Sequence, residues 1–138
     1  FTKEEEEFAK AIQKETGVKE VGLREKINDL NLHPGDPEGG STDVADVSWV
    51  VPTIHLSVVT AAADAPWHAW PVVATGGMSI GHKGMMYASK ALAATMIDLY
   101  QDPKKVEAVK KDFVDKKGDV VYKGFIPDGP PKVLNSKD

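Results

Sequence analysis

The sequence contains no cysteine. Without thiols the chain has no disulfides, no zinc site built on thiolates and no cysteine nucleophile, so only histidine, aspartate and glutamate are available as metal ligands. An excess of basic residues is also missing: the net charge is -4, and no cluster of lysine and arginine is interleaved with aromatic residues. Nucleic acid is therefore not an expected partner.

Long apolar runs are missing as well. No stretch approaches the roughly 20 residues that a membrane span requires, and no basic-then-apolar leader opens the chain, so we expect no membrane partner. The first residue, Phe1, lies directly before a predicted helix. We therefore expect the natural N-terminus to lie further upstream. We also expect a cytoplasmic protein, and export of the full-length protein stays open.

What the sequence does contain is typical of one globular domain: 138 residues, of which 41% are hydrophobic and 28% charged. Thr2 and Glu5 have the spacing of a capping box and predict a helix over residues 3–16, which Gly17 ends. A second periodic segment predicts a helix over residues 80–100. Asp102 as cap and Pro103 as first residue predict another helix that ends at Gly118.

The middle of the chain predicts loops and one strand. Residues 17–40 read as a long loop, and a short helix before Pro52 follows the glycine pair at 39–40. The run TIHLSVVT, residues 53–60, is rich in β-branched residues and predicts a buried strand. Because a lone strand cannot satisfy its own backbone, we expect the chain to be the end of a larger α/β domain whose other strands lie upstream.

Four histidines are candidates for chemistry: His33, His55, His68 and His82. No pair has the H-E-x-x-H spacing of helical zinc sites, so any metal would be held by residues distant in sequence. His68 stands out because it lies in APWHAWP, in the loop after the predicted strand, where ligands bind in open α/β sheets. Two interpretations stay open: Trp67 and Trp70 shield a metal-binding imidazole from water, or they plug a loop whose histidine bonds to a carbonyl.

The second candidate is GGSTD, residues 39–43. Glycines before a helix start allow backbone amides to approach an anion such as a carboxylate, although an ordinary helix cap explains the same residues. A Ser-His-Asp hydrolase built from Ser41, His68 and Asp43 is disfavoured because the chain has no G-x-S-x-G turn.

Both loops belong to a longer pattern. GSTDVADVSWVVPT, the W-H-A-W loop and GGMSIGHKGMMYASKALAATMIDLYQDP closely resemble the C-terminal part of the aminobenzoyl-glutamate utilisation protein B group, within the binuclear-metal aminoacylase and carboxypeptidase family. The resemblance is strongest from Gly40 to Pro103. It implies an α/β fold, the C-terminal portion of a layered catalytic domain with a central sheet flanked by helices. Residues 1–124 would belong to that domain, and residues 125–138 would form a proline-rich tail.

The same resemblance implies a metal-dependent amidohydrolase that cleaves N-acyl or aminobenzoyl amino acids, with two divalent ions, zinc or manganese. His68 matches the last metal ligand of the family, and Gly40, Ser41 and Thr42 match a loop beside the substrate. The general base and the remaining ligands of the family lie upstream, so none of the catalytic residues is expected in this chain. We therefore expect these 138 residues alone to be inactive and to hold metal weakly.

The resemblance also implies that the full-length protein is an oligomer, either a homo-oligomer such as the family's dimers or a hetero-oligomer. The alternative function is a non-catalytic substrate-binding or regulatory subunit of the same fold. A free-standing domain in which WHAW only packs is a third possibility, against which the lone predicted strand argues.

Overall fold

A computed structural model describes residues 1–27, 42–126 and 129–130. Within these residues the chain forms five α-helices, which are α1 (Lys3–Thr16), α2 (Val44–Ser48), α3 (Trp70–Gly76), α4 (Ser79–Gln101) and α5 (Pro103–Lys117). The described ranges contain no β-strand. The predicted central sheet flanked by helices is therefore wrong for this chain, which is helical where it is described.

The predicted strand is the origin of this error. Residues 53–60 carry no regular structure, and their apolar side chains remain accessible, with Ile54 67% and Leu56 38% exposed. A strand is stable only when a neighbour pairs with its N–H and C=O groups. No second strand lies among the described residues, so β-branched composition alone does not produce a sheet here.

Helix α1 confirms its sequence signals. The Thr2 backbone N–H donates to Glu5 Oε2 at 2.7 Å, the Glu5 backbone N–H donates to Thr2 Oγ1 at 3.3 Å, and both bonds together form the predicted capping box. Gly17 ends the helix with φ +71°, a left-handed conformation that glycine adopts without strain.

The core is small and lies where α1 meets the start of α4. Ala9 and Ile12 of α1 pack with Ile80 of α4 and with three loop residues. Those loop residues are Leu23, Ala62 and Ala65. Burial of α1 thus depends on the loops at 18–24 and 59–65 as much as on other helices.

Gln13 fixes those two loops to α1. Its side chain is fully buried, and its Oε1 accepts the Gly22 N–H at 2.7 Å. Its Nε2 donates to the carbonyl of Ala63 at 2.8 Å and to that of Gly22 at 3.1 Å. The Ala63 N–H in turn donates to the Gly22 carbonyl at 3.0 Å. One amide therefore satisfies backbone groups of two loops that lie 41 residues apart in sequence.

Helix α3 is not predicted by the sequence patterns. They indicate a loop at residues 70–76, whereas Pro71 lies in the first turn of a seven-residue helix, a position where proline is favoured. The buried Thr75 hydroxyl donates to the Pro71 carbonyl at 3.1 Å.

Helices α4 and α5 contact each other, and both predictions are confirmed within one or two residues. Asp102 caps α5 by accepting the Lys104 N–H at 3.0 Å, and Pro103 is its first residue. Lys105 and Asp98 form an ion pair across the turn at 3.3 Å.

No helix in the described ranges is long and apolar enough to cross a membrane. The predicted boundary between a domain at 1–124 and a tail at 125–138 stays a prediction, because most of the tail lies outside the described residues.

Candidate functional site

The loop of residues 61–69 carries His68 and is held firmly at its base. Ala62, Ala63 and Ala65 are buried, and the Ala63 peptide is bonded on both sides, to Gly22 and to Gln13. Beyond this anchor the chain turns outward, so that His68 is exposed to solvent. The local fold therefore presents the imidazole at the end of a fixed loop.

Two residues of this loop have unusual backbone angles. Asp64 has φ +57° and His68 has φ +58°, in the left-handed region that side chains other than glycine rarely occupy. Such conformations cost about 1–3 kcal/mol each and persist where the surrounding structure enforces them, often at ligand-binding loops. Here the hydrogen-bonded Ala63 peptide precedes Asp64, and helix α3 follows His68, so both ends of the loop are held in place.

The two tryptophans do not enclose the histidine. Trp67 is 68% exposed and Trp70 is 54% exposed, so the prediction that they shield the imidazole from water is wrong for this chain. Trp67 lies at the outer part of the loop and Trp70 is the first residue of α3. No described segment covers either ring sufficiently to bury it.

The second predicted site is only partly described. Gly40 and Ser41 lie outside the described residues, so their predicted substrate contact stays a prediction. Thr42 is exposed, and its Oγ1 accepts the Val44 N–H at 3.3 Å at the start of α2. The described geometry of Thr42 is that of an ordinary helix start.

The described residues contain no cluster of potential metal ligands. Within residues 1–27, 42–126 and 129–130, no three side chains of histidine, aspartate or glutamate lie close enough to hold one ion. His55, His68 and His82 are all exposed, and His33 lies outside the described residues. The donor set therefore does not fit a complete binuclear centre, and His68 is the one predicted ligand that the structure places.

A groove of about 650 Å³ lies beside the His68 loop. It is lined by residues 58–66, by Trp67 and by the guanidinium of Arg24, which contacts Asp64 Oδ1 at 2.6 Å. No local sequence pattern points to Arg24, since it lies 40 residues before its carboxylate partner. A cation and an exposed indole thus line one side of the candidate site.

A larger groove of about 730 Å³ lies between residues 48–54 and the α4–α5 pair. Its lining includes the apolar residues Trp49, Ile54, Leu99, Val109 and Phe113 and the charged residues Asp112 and Lys116. Asp112 and Lys116 are paired with each other at 2.9 Å. This groove carries neither a histidine nor a free charge cluster, so we place the candidate site at the His68 loop instead.

Glu5 connects α1 to the first turn of α4. Its carboxylate accepts hydrogen bonds from Lys83 Nζ at 2.7 and 2.8 Å and from Ser79 Oγ at 2.5 Å. The Lys83 bond above all, then the Ser79 hydroxyl and the Thr2 backbone N–H, lower the pKa of Glu5 from 4.5 to about 2. The ammonium of Lys83 also lies 5.9 Å from the centre of the Phe1 ring.

This pKa shift predicts how stability depends on acidity. A carboxylate with a lower pKa in the folded state stabilises the fold above its unfolded pKa, and that contribution is lost as the pH falls. For Glu5 the loss is expected between pH 4.5 and about 2. Thermal unfolding measured across this window should give a falling melting temperature for the wild type and a flatter profile for Glu5→Gln.

The matched control is Glu107→Gln, which removes an exposed glutamate of α5. Its profile should follow that of the wild type. Equal slopes for Glu5→Gln and the wild type between pH 4.5 and 2 would show that the Glu5 bonds do not stabilise the folded state.

Comparison with known proteins gives one partial match. A subunit of the p-aminobenzoyl-glutamate hydrolase of Escherichia coli (strain K12) is 45% identical to this chain over 62 residues. These residues are 45% of this chain and 13% of the relative, so the chain matches only a small part of the relative's length. No protein-family profile and no solved structure matches the chain. The match supports a relation to the aminobenzoyl-glutamate group, and the wider amidohydrolase family stays a prediction.

Proposed function

We propose that this chain forms part of a metal-dependent amidohydrolase that cleaves the amide bond of N-acyl or aminobenzoyl amino acids, such as aminobenzoyl-glutamate. The observation that carries the proposal is the 62-residue match to a protein named as a p-aminobenzoyl-glutamate hydrolase subunit. Identity of 45% over that length is consistent with a related hydrolase. The substrate, the ions and the activity of the complete protein are parts of the proposal.

His68 is the proposed metal ligand of this chain. Its imidazole is accessible, and its loop is fixed at the base by the Ala63 and Gln13 bonds, as a ligand on a preformed loop must be. Because the described residues contribute no complete ligand set, the other ligands and the general base would come from polypeptide outside this chain. When bound there, a pair of zinc or manganese ions would supply a nucleophilic water at neutral pH.

The groove beside the loop supports the substrate class. Trp67 offers an aromatic face against which an aminobenzoyl ring can pack, and Arg24 offers a fork of N–H donors that matches a carboxylate. Both Arg24 and Asp64 are more than half exposed, so a substrate carboxylate can compete with Asp64 for the guanidinium. Gly40, Ser41 and Thr42 are proposed to contact the substrate through their backbone.

The test replaces the corresponding stretch of the Escherichia coli relative with residues 40–103 of this chain. We expect the chimera to release p-aminobenzoate from p-aminobenzoyl-glutamate, and we expect His68→Ala in the chimera to lower kcat/KM by roughly 100-fold together with its metal content. His55→Ala is the matched control, since His55 is also exposed and lies outside the loop. The isolated 138-residue chain, assayed alongside, should show no turnover.

Three results would contradict parts of this proposal. An active chimera whose rate and metal content are unchanged by His68→Ala would remove His68 from the metal site. Turnover by the isolated chain would show that the catalytic groups lie within it. A correctly folded chimera without activity would favour the second candidate, a non-catalytic binding subunit.

A further inference from the structure

An ion pair lies on the solvent side of the junction between the two loops that Gln13 joins. Arg24 and Asp64 lie just beyond the hydrogen bond between the Ala63 N–H and the Gly22 carbonyl, and Arg24 Nη2 donates to Asp64 Oδ1 at 2.6 Å. Both side chains line the groove of about 650 Å³ beside the His68 loop. Among the described residues that line this groove, they carry the only charges. The pair therefore belongs to the wall of the groove as well as to the two loops.

This ion pair is weak enough for a ligand to replace it. The side chains of Arg24 and Asp64 are 57% and 58% exposed, so water screens the attraction between the two charges. Exposed ion pairs contribute little to the stability of a fold, because each partner is hydrated when the pair opens. The buried contacts of Ala62, Ala65 and Gln13 do not depend on it. Opening the pair therefore leaves the fold intact.

The bond also uses only part of the binding capacity of the guanidinium. Among the described residues, Asp64 reaches one nitrogen of Arg24 with one of its oxygens. A guanidinium has five N–H donors and can form two parallel bonds with a carboxylate that approaches in its plane. Asp64 is restricted in its approach, because its backbone is held at φ +57° between the buried residues Ala63 and Ala65. A ligand carboxylate that enters the groove is free to form both bonds.

We propose that Asp64 is a specificity-determining residue of this groove: its carboxylate occupies Arg24 in the free chain and must be displaced by the carboxylate of a ligand. Because this inference rests on the proposed function, the ligand class is an aminobenzoyl or acyl amino acid that binds beside Trp67. A neutral aromatic amide offers Arg24 no replacement for Asp64 and leaves the pair closed. Asp64 thus restricts access to Arg24 to ligands that carry a carboxylate, and it lowers their affinity.

Removal of the Asp64 charge is therefore expected to strengthen the binding of acidic ligands. Asp64→Asn keeps the size of the side chain, and asparagine tolerates the left-handed conformation as aspartate does. The variant lacks both the competing ion pair and the repulsion between Asp64 and a ligand carboxylate. We expect p-aminobenzoyl-glutamate to bind Asp64→Asn about three to five times more tightly than the wild type. Arg24→Met, which removes the guanidinium, should weaken binding roughly fivefold or more.

The experiment titrates the 138-residue chain with two ligands and follows binding by NMR. One ligand is p-aminobenzoyl-glutamate, and the other is p-aminobenzamide, which has the ring and the amide but no carboxylate. The amide signals of the groove give the dissociation constants, and the carboxylate carbon signal of Asp64 reports whether the pair opens. We expect p-aminobenzoyl-glutamate to move this signal in the direction in which Arg24→Met moves it. p-Aminobenzamide should leave the signal unchanged and should bind the wild type and Asp64→Asn equally.

Asp98→Asn is the matched control. Asp98 is an exposed aspartate that pairs with Lys105 at 3.3 Å and does not line the groove. The control makes the same change in net charge as Asp64→Asn and should bind p-aminobenzoyl-glutamate as the wild type does. An equal gain in affinity for Asp98→Asn and Asp64→Asn would reduce the effect to net charge and overturn the inference. Unchanged or weaker binding by Asp64→Asn, or an Asp64 signal that the acidic ligand does not move, would overturn it as well.

These measurements require neither a metal ion nor turnover, so their outcome is separate from that of the proposed function. Tighter binding of p-aminobenzoyl-glutamate by Asp64→Asn together with an inactive chimera would support the role of Asp64 and count against a hydrolase. An active chimera together with unchanged affinity in Asp64→Asn would support the hydrolase and remove Asp64 from ligand selection.

Discussion

Replacing Gln13 with leucine is expected to destabilise the fold by about 3–5 kcal/mol. A large fraction of the molecules should then be unfolded at room temperature. The leucine side chain has nearly the same size, but it leaves the Gly22 N–H and the Ala63 carbonyl without their partner in a buried place. Each buried polar group that loses its bond costs about 1–3 kcal/mol. A domain with a core of this size has a stability near the lower end of the usual range of about 5–15 kcal/mol.

The loss of the Gln13 hydrogen bonds should also be measurable at Gly22 itself. Amide hydrogen exchange of Gly22 should accelerate strongly in Gln13→Leu, because its N–H no longer has an acceptor. The matched control is Gln101→Leu at the exposed C-terminal end of α4, which should change the free energy of unfolding by less than about 0.5 kcal/mol. A Gln13→Leu variant as stable as the control would show that the two loops hold their positions without this amide.

The role of Gln13 illustrates what sequence alone reveals and what it does not. Phe8, Ala9 and Ile12 recur at helical spacing, and two of the three, Ala9 and Ile12, lie on the buried side of α1, whereas Phe8 is 37% exposed. Nothing in the pattern distinguishes Gln13, since a polar residue in an amphipathic helix is ordinarily exposed. Its burial depends on Gly22 and Ala63, and the second of these lies 50 residues further along the chain. No local pattern encodes such a contact.

The helix boundaries are predicted well because they also depend on residues close in sequence. Thr2, Gly17 and Asp102 carry capping chemistry that acts within a few residues, so α1 and α5 are predicted almost to the residue. The strand at 53–60 fails because a strand requires a partner from elsewhere, and β-branched composition does not supply one. Helix α3 escapes prediction because its glycine-rich end and tryptophan-rich start resemble a loop, although Pro71 occupies a favourable position for a helix start.

The candidate site is predictable only in part, for a similar reason. The APWHAWP pattern points to His68, and the structure places that residue on an anchored, strained loop. Exposure of Trp67 and the nearness of Arg24 depend on how the loop leaves the core, which sequence patterns do not specify. The resemblance implies a role for His68, and the geometry adds the residues beside it.

Gly84→Ala is expected to lower stability by about 1–2 kcal/mol, although helix propensity alone predicts the opposite sign. In the interior of a helix, alanine is favoured over glycine by about 0.5–1 kcal/mol. At Gly84, however, a Cβ atom would lie 2.4 Å from the Val59 carbonyl oxygen and 2.7 Å from Thr60 Cγ2. These distances are far below van der Waals contact, so α4 must move away from the segment that carries the core residue Ala62 and the partly buried Val59. Overpacking of this kind typically costs about 1–3 kcal/mol.

A second helical glycine, Gly76, serves as the control that separates the steric clash from helix propensity. Gly76 ends α3, and a Cβ atom there would meet nothing within 4 Å, so Gly76→Ala should be neutral or slightly stabilising. Thermal and urea unfolding should therefore separate the two variants, with Gly84→Ala melting roughly 5 °C below the wild type and Gly76→Ala melting at or slightly above it. Because Gly84 lies against the Val59 carbonyl, the same variant should also loosen the segment that leads into the His68 loop. A Gly84→Ala variant that melts at or above the wild-type temperature would mean that α4 does not rest on the backbone of residues 59–60, and that the loop carrying His68 is held by Gln13 and Gly22 alone.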